Sequence, residues 1–128
     1  MEAGKRDKIL QALIVDDEID ICYLLGGILR KKSFLSKHVN TISDAAIMLK
    51  KDMPSIVFLD NHLPDGLGID FIEYIKKNHP TTKIVIITAL DSSSDRIKAY
   101  EKGADYFISK PFNREIIYNV VDKLKYET

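Results

Sequence analysis

Four short segments carry side chains that could do chemistry together: Val15-Asp16-Asp17-Glu18, Phe58-Leu59-Asp60, Ile87-Thr88-Ala89 and Ser109-Lys110-Pro111-Phe112. Asp16, Asp17 and Asp60 offer carboxylates, Thr88 a hydroxyl and Lys110 an ammonium. Carboxylates brought close together repel, and a hard divalent cation with oxygen ligands relieves that repulsion. A carboxylate beside such a cation, a hydroxyl and a lysine is a site for accepting a phosphoryl group. Each group alone has an ordinary reading. Asp16 and Asp17 suit a helix N-cap, Asp60 a turn, Thr88 a strand interior and Lys110 a solvated surface. Only their joint placement makes a site.

That placement depends on the elements between them. Ile9 to Val15 is apolar nearly throughout, as in a strand buried on both faces. Ile21, Leu24, Leu25 and Ile28 follow at helical spacing, with Gly26-Gly27 weakening the middle or permitting close packing. Phe34 to Val39 alternates apolar and polar residues, as on a strand near a sheet edge. Ser43 is the expected N-cap of a helix carrying Ala46, Ile47 and Leu49, which Pro54 closes. Ile56 to Leu59 is a short buried strand, and Leu63 to Gly68 a loop by composition. Ile69, Ile72 and Ile75 share a helical face that ends at Asn78-His79-Pro80. Ile84 to Ile87 is the most apolar run. Asp91-Ser92-Ser93-Ser94 reads as a polar loop before a helix that ends near Gly103. Tyr106 to Ile108 is a strand. Asn113 caps a last helix with Ile116, Ile117, Val120, Val121 and Leu124 inward. Strands and helices alternating in this way give a parallel sheet with helices on both faces. Its ligand site lies beyond the carboxyl ends of the strands, where the four segments fall.

With 128 residues, 19 basic and 19 acidic, the chain suits one neutral domain, 1–128, with a core of about 8–124 and a flexible 1–7 segment. Zero net charge argues against nucleic-acid binding by bulk electrostatics. Cys22 is the only cysteine, which excludes an internal disulfide and reads as a small buried hydrophobe. No apolar run approaches the ~18 residues of a membrane span, and Met1 to Lys8 lacks the apolar stretch of a signal peptide. The expectation is a cytoplasmic protein that does not contact membrane.

In order, spacing and flanking residues these segments resemble the receiver domain of two-component response regulators, over about Lys8 to Leu124. Leu63-Pro64-Asp65-Gly66 and Lys110-Pro111-Phe112 fit the same pattern. The resemblance implies a flavodoxin-like, doubly wound (βα)5 fold with the parallel sheet in order 2-1-3-4-5. It implies that Asp60 takes a phosphoryl group from a phosphohistidine on a sensor histidine kinase or phosphotransfer protein. Asp17 and Asp60 would bind Mg²⁺ (or Mn²⁺) directly, Asp16 through water, and the His62 backbone carbonyl would be a further ligand. Thr88 would hydrogen-bond the phosphoryl oxygens. Lys110 would pair with Asp60 before transfer and with the phosphoryl group after it, and its bond to Pro111 would be cis. Phe107 would be the switch aromatic, turning inward as Thr88 moves, whereas Tyr106 points the other way. The output surface would be the fourth helix, fifth strand and fifth helix, with Asp95, Arg96, Lys98, Tyr100, Glu101, Tyr118 and Lys123 exposed for a downstream partner or a second copy.

His62 is expected to be a partly exposed loop residue whose side chain, with Leu90 opposite, tunes phosphoryl lifetime. His38 and His79 read as surface residues. Two other functions compete. A Mg²⁺-dependent phosphatase with an aspartyl nucleophile would carry an acid where His62 stands. A phosphorylation-independent binding module would not need Asp16, Asp17, Asp60 and Lys110 together. The switch would catalyse its own phosphorylation and dephosphorylation without turning over a separate substrate. The chain ends soon after its last helix, so a stand-alone receiver or one excised from a longer regulator or hybrid kinase is expected.

Overall fold

The computed structural model describes residues 10–90 and 92–125; the expectations for segment 1–7, Ile9 and Asp91 lie outside them. Five strands, β1 (Leu10–Val15), β2 (Phe34–Val39), β3 (Ile56–Asp60), β4 (Lys83–Thr88) and β5 (Tyr106–Ser109), form one parallel sheet in order β2-β1-β3-β4-β5. Helices α1 (Ile19–Arg30), α2 (Ile42–Asp52), α3 (Gly68–Asn78), α4 (Ser93–Lys102) and α5 (Arg114–Lys125) connect and follow the strands. This is the flavodoxin-like order expected from the sequence. No helix among the described residues is long and apolar enough to cross a membrane.

Strand side chains alternate between faces, so each strand feeds two cores. Leu13, Val15, Val57, Leu59, Ile84, Ile86 and Phe107 pack with α2, α3 and α4. Ala12, Ile14, Ile56, Phe58, Val85, Ile87 and Ile108 pack with α1 and α5. Every residue of β3 is buried, which is why its sequence shows an unbroken apolar run before Asp60.

Several boundaries and faces differ from the sequence reading. The buried side of α1 is Cys22, Leu25 and Leu29, while Leu24 is 52% exposed. So many apolar residues crowd this segment that spacing alone does not fix the helix phase. The glycine pair does not break the helix. A Cβ on Gly26 would lie 3.0 Å from Ser36 Oγ, so the missing side chain allows α1 to sit close to β2. Helix α2 buries Ala45 and Leu49 and exposes Ile47, and in α5 Ile116 is exposed.

Thr41, not Ser43, caps α2, its hydroxyl accepting the Asp44 amide at 3.1 Å. The amides of Ile42 and Ser43 and the Ser43 hydroxyl all donate to Asp65. These bonds hold the Asp65 carboxyl below the usual range. The Leu63–Gly68 stretch is therefore more than a loop: His62–Leu63 and Gly66–Leu67 pair as an antiparallel hairpin whose tip caps a neighbouring helix. Ser92 caps α4, which places Ser93 and Ser94 inside the helix rather than in a loop. Asn113 Oδ1 accepts the Ile116 amide at 2.9 Å, the cap expected for α5.

Candidate functional site

The carboxyl ends of β1, β3, β4 and β5 converge on one edge. Asp60 is the last residue of β3 and Thr88 the last of β4; Asp16 follows β1 and Lys110 follows β5. One carboxylate oxygen from each of Asp16, Asp17 and Asp60 lies within 4.8 Å of the others. Asp16 and Asp60 are buried and Asp17 is exposed. An all-oxygen, anionic donor set open to solvent on one side fits a hard divalent cation such as Mg²⁺.

Asp16 is committed on both oxygens. Oδ1 accepts the Glu18 amide at 2.9 Å, and Oδ2 lies 2.9 Å from Lys110 Nζ. Its backbone carbonyl accepts from Asn40 Nδ2 at 2.9 Å and from Cys22 Sγ at 3.4 Å. Cys22 is the buried hydrophobe expected, its thiol pushed up to about 11 by burial and by Asp16.

Lys110 is the hub, but its closest partner is one the sequence reading did not single out. Nζ lies 2.7 Å from Glu18 Oε1, 2.9 Å from Asp16 Oδ2 and 3.8 Å from Asp60 Oδ1. In this state the ammonium is held on the Asp16 side, and its contact with Asp60 is the longest of the three. Burial opposes the Lys110 charge, yet Glu18, Asp16 and Asp60 outweigh it and raise the pKa. The Lys110–Pro111 bond is cis.

Asp60 is 6% exposed. Its pKa is pushed up to about 6, chiefly by burial and then by Asp16, with a smaller push from Asp17. Lys110 and the His62 backbone amide work against the rise. A buried carboxylate held between a repelling and an attracting charge responds strongly to any added ion that changes the balance.

Thr88 is 1% exposed, and its hydroxyl oxygen accepts the Leu90 amide at 3.3 Å. Its carbonyl accepts the Lys110 amide at 2.8 Å, which ties the ends of β4 and β5 together. Asn61 was also missed. It is buried, its Oδ1 accepts the Ile69 amide at 2.9 Å, and its carbonyl accepts the Gly68 amide at 2.8 Å. A Cβ on Gly68 would collide with the Asp60 carbonyl, so a glycine there lets α3 start directly against the end of β3. The signal for both was adjacency: Glu18 extends the acid pair, and Asn61 follows Asp60.

His62 is exposed, and Leu90 is 62% exposed. His38 is exposed, with its ring edge-on to Tyr23, while His79 is half-buried.

Phe107 is buried in the core shared with α2, α3 and α4, while Tyr106 packs on the opposite face. The Arg96 guanidinium lies 4.7 Å over the Phe107 ring, and the Phe107 amide donates to the Tyr100 hydroxyl at 3.1 Å. Arg96 and Tyr100, both expected on the exposed side, thus also make contacts within this chain. Lys98, Glu101 and Lys123 are exposed as expected, Tyr100 is 43% exposed, and Asp95 is half-buried. Tyr118 is half-buried, with Lys32 Nζ 5.0 Å from its ring centroid. Ile97, 58% exposed, adds apolar surface the sequence reading did not count.

The model of the response regulator receiver domain matches residues 12–122. The chain is 37% identical over 101 residues to the response regulator protein PilR of Pseudomonas aeruginosa, covering 79% of this chain and 23% of that protein. It is 32% identical over 111 residues to the phosphate regulon transcriptional regulatory protein PhoB of Escherichia coli, covering 84% and 48%. It therefore spans less than half the length of either relative. The solution structure of the beryllofluoride-activated NtrC4 receiver domain dimer superposes with a TM-score of 0.87 at 32% identity, covering 91% of this chain and 97% of that one.

Proposed function

The chain belongs to the response regulator receiver family, and from that premise we propose that it is a phosphorylation-controlled signalling switch with Asp60 as phospho-acceptor. The observation that carries this is the meeting of Asp16, Asp17 and Asp60 within 4.8 Å beside Lys110. An Asp60 carboxylate oxygen attacks the phosphorus of a phosphohistidine on a sensor histidine kinase or phosphotransfer protein. The P–O bond forms as the P–N bond breaks, and the electron pair returns to the imidazole. Transfer of this kind needs mainly positioning and charge neutralisation.

Asp17, Asp60 and the His62 backbone carbonyl would hold Mg²⁺ (or Mn²⁺), with Asp16, already bonded to Lys110 and the Glu18 amide, reaching it through water. The metal would supply neutralising charge at the phosphoryl oxygens. Lys110 neutralises charge from the β5 side, and the Thr88 hydroxyl donates to a phosphoryl oxygen. His62 and Leu90 border the path of the hydrolytic water and set phosphoryl lifetime. The added charge changes the packing of Phe107 and with it the α4–β5–α5 face, where a downstream protein or a second copy docks. The domain, residues 1–128, works in the cytoplasm and makes no direct contact with nucleic acid, in keeping with its zero net charge.

The test is incubation with Mg²⁺ and acetyl phosphate, read by intact mass. An adduct of ~80 Da that disappears in Asp60→Ala supports the switch. No adduct in folded protein refutes it, and steady hydrolysis of a generic phosphate ester would point to a phosphatase instead.

A further inference from the structure

We infer that Glu18 is a positioning residue for phosphoryl transfer: it holds the Lys110 ammonium beside Asp16, away from Asp60, until a phosphoryl group draws it across. This rests on Asp60 being the phospho-acceptor and adds a part that the acid pair, Thr88 and Lys110 do not supply. Lys110 Nζ lies 2.7 Å from Glu18 Oε1 but 3.8 Å from Asp60 Oδ1, although Asp60 and Lys110 are both nearly buried. Coulomb attraction and low local dielectric alone would favour the two buried carboxylates, Asp16 and Asp60, over an exposed one. The ammonium instead divides its closest contacts between Asp16 and a carboxylate from the rim.

Glu18 grips the pair from both ends. Its backbone amide fixes Asp16 Oδ1, and its side chain takes the lysine that Asp16 Oδ2 also holds. The Glu18 side chain is 61% exposed against 9% for Lys110. An exposed ion pair is a weak hold. A phosphoryl group on Asp60 replaces one carboxylate charge with close to two and adds three acceptor oxygens, and these outcompete one solvated carboxylate. Glu18 is thus strong enough to place Lys110 at rest and too weak to keep it after transfer. Its effect belongs to the formation of the aspartyl phosphate, because once that has formed Lys110 has moved on.

Removing the Glu18 charge leaves the backbone amide on Asp16 in place, so Glu18→Gln isolates the side chain. The maximal rate of adduct formation with acetyl phosphate and Mg²⁺ should rise ~2–5-fold, the range an exposed ion pair can supply. Phosphoryl lifetime should be unchanged. Without donor, the Lys110 side-chain ammonium resonance should shift. Asp20→Asn removes a nearby exposed acid from the same helix end and controls for general charge; it should change KM at most. Wild type that forms the adduct, with Glu18→Gln no faster or with Asp20→Asn equally fast at saturation, overturns the inference. A lifetime that shortens in step with faster formation also overturns it. A wild type that forms no adduct fails differently, removing the phospho-acceptor reading and this role with it.

Discussion

Asp60→Asn should make the metal-free protein more stable, and by an amount that depends on pH. Asp60 is nearly buried beside Asp16, and its pKa rises from 3.8 to about 6. An acid with a raised folded-state pKa binds more protons folded than unfolded between the two values. Stability is therefore fully present below about pH 4, falls as pH climbs through about 6, and stays lowered above that. At about 1.4 kcal/mol per pKa unit, the ionised carboxylate costs ~3 kcal/mol at pH 7.5. Asparagine keeps the shape and carries no charge, so the variant avoids that loss. For a domain of this size ~3 kcal/mol corresponds to a Tm rise of ~10 °C. The assay is urea and thermal unfolding of both proteins in EDTA from pH 4 to 8. The gap should open across pH 4–6 and plateau above. Mg²⁺ should then stabilise wild type far more than Asp60→Asn, closing the gap from the other side. An Asp60→Asn variant less stable than wild type at pH 7.5, or a gap equal at pH 4 and 8, refutes the electrostatic account of the site.

Gly68→Ala drives a methyl group into the Asp60 carbonyl, so urea unfolding should show a loss of more than ~2 kcal/mol, with phosphorylation slowed as β3 shifts. Tyr100→Phe removes the acceptor of the Phe107 amide and should cost ~1 kcal/mol, with the largest amide shifts in β5 rather than in α4. Arg96→Ala uncovers the Phe107 ring and should cost ~0.5–1 kcal/mol in unfolding, with faster aromatic-ring dynamics by NMR. His62→Ala and Leu90→Ala should each change the decay rate of the aspartyl phosphate while leaving formation with acetyl phosphate intact; unchanged decay in both removes them from any role in lifetime.

The parallel sheet, its two-sided burial and the convergence of Asp16, Asp17, Asp60, Thr88 and Lys110 at one edge were legible in the residues, whereas the strand order came only through the resemblance to receiver domains. Buried parallel strands write themselves as unbroken apolar runs, and a polar residue at the end of each run marks the sheet edge. Helix faces were less legible where apolar residues were in excess. In α1 a run from Ile19 to Leu29 offers more than one 3.6-residue stripe, and contact with β2 at Gly26 and Ser36 selects one. Long-range capping was not legible at all. Asp65 closes the start of α2 from 22 and 23 positions away, and no local pattern near Ser43 encodes that. The same holds for Glu18. Its reach to Lys110 spans 92 positions, so the sequence shows an acid beside acids but not which cation it holds.

The geometry also gives a physical basis for coupling the site to a distant surface. Thr88 and Ser109 are register partners, and the Lys110 amide donates to the Thr88 carbonyl, so the ends of β4 and β5 are tied together. Two residues back, the Phe107 amide is bonded to Tyr100 of α4 and its ring is covered by Arg96 of the same helix. The contacts that join helix α4 to β5 thus include a hydrogen bond and a cation–π contact, each worth on the order of 1 kcal/mol. Its only buried residue is Ala99, which offers little apolar area to resist displacement. A charge introduced at Asp60 acts on groups nearly buried in a low-dielectric edge, where the electrostatic change is several kcal/mol. Under the proposed switch the larger energy would lie at Asp60, and each of these contacts to α4 is small beside it. On the proposal that Asp60 is phosphorylated, that inequality, rather than any single side chain, is what would let a local charge reset a helix.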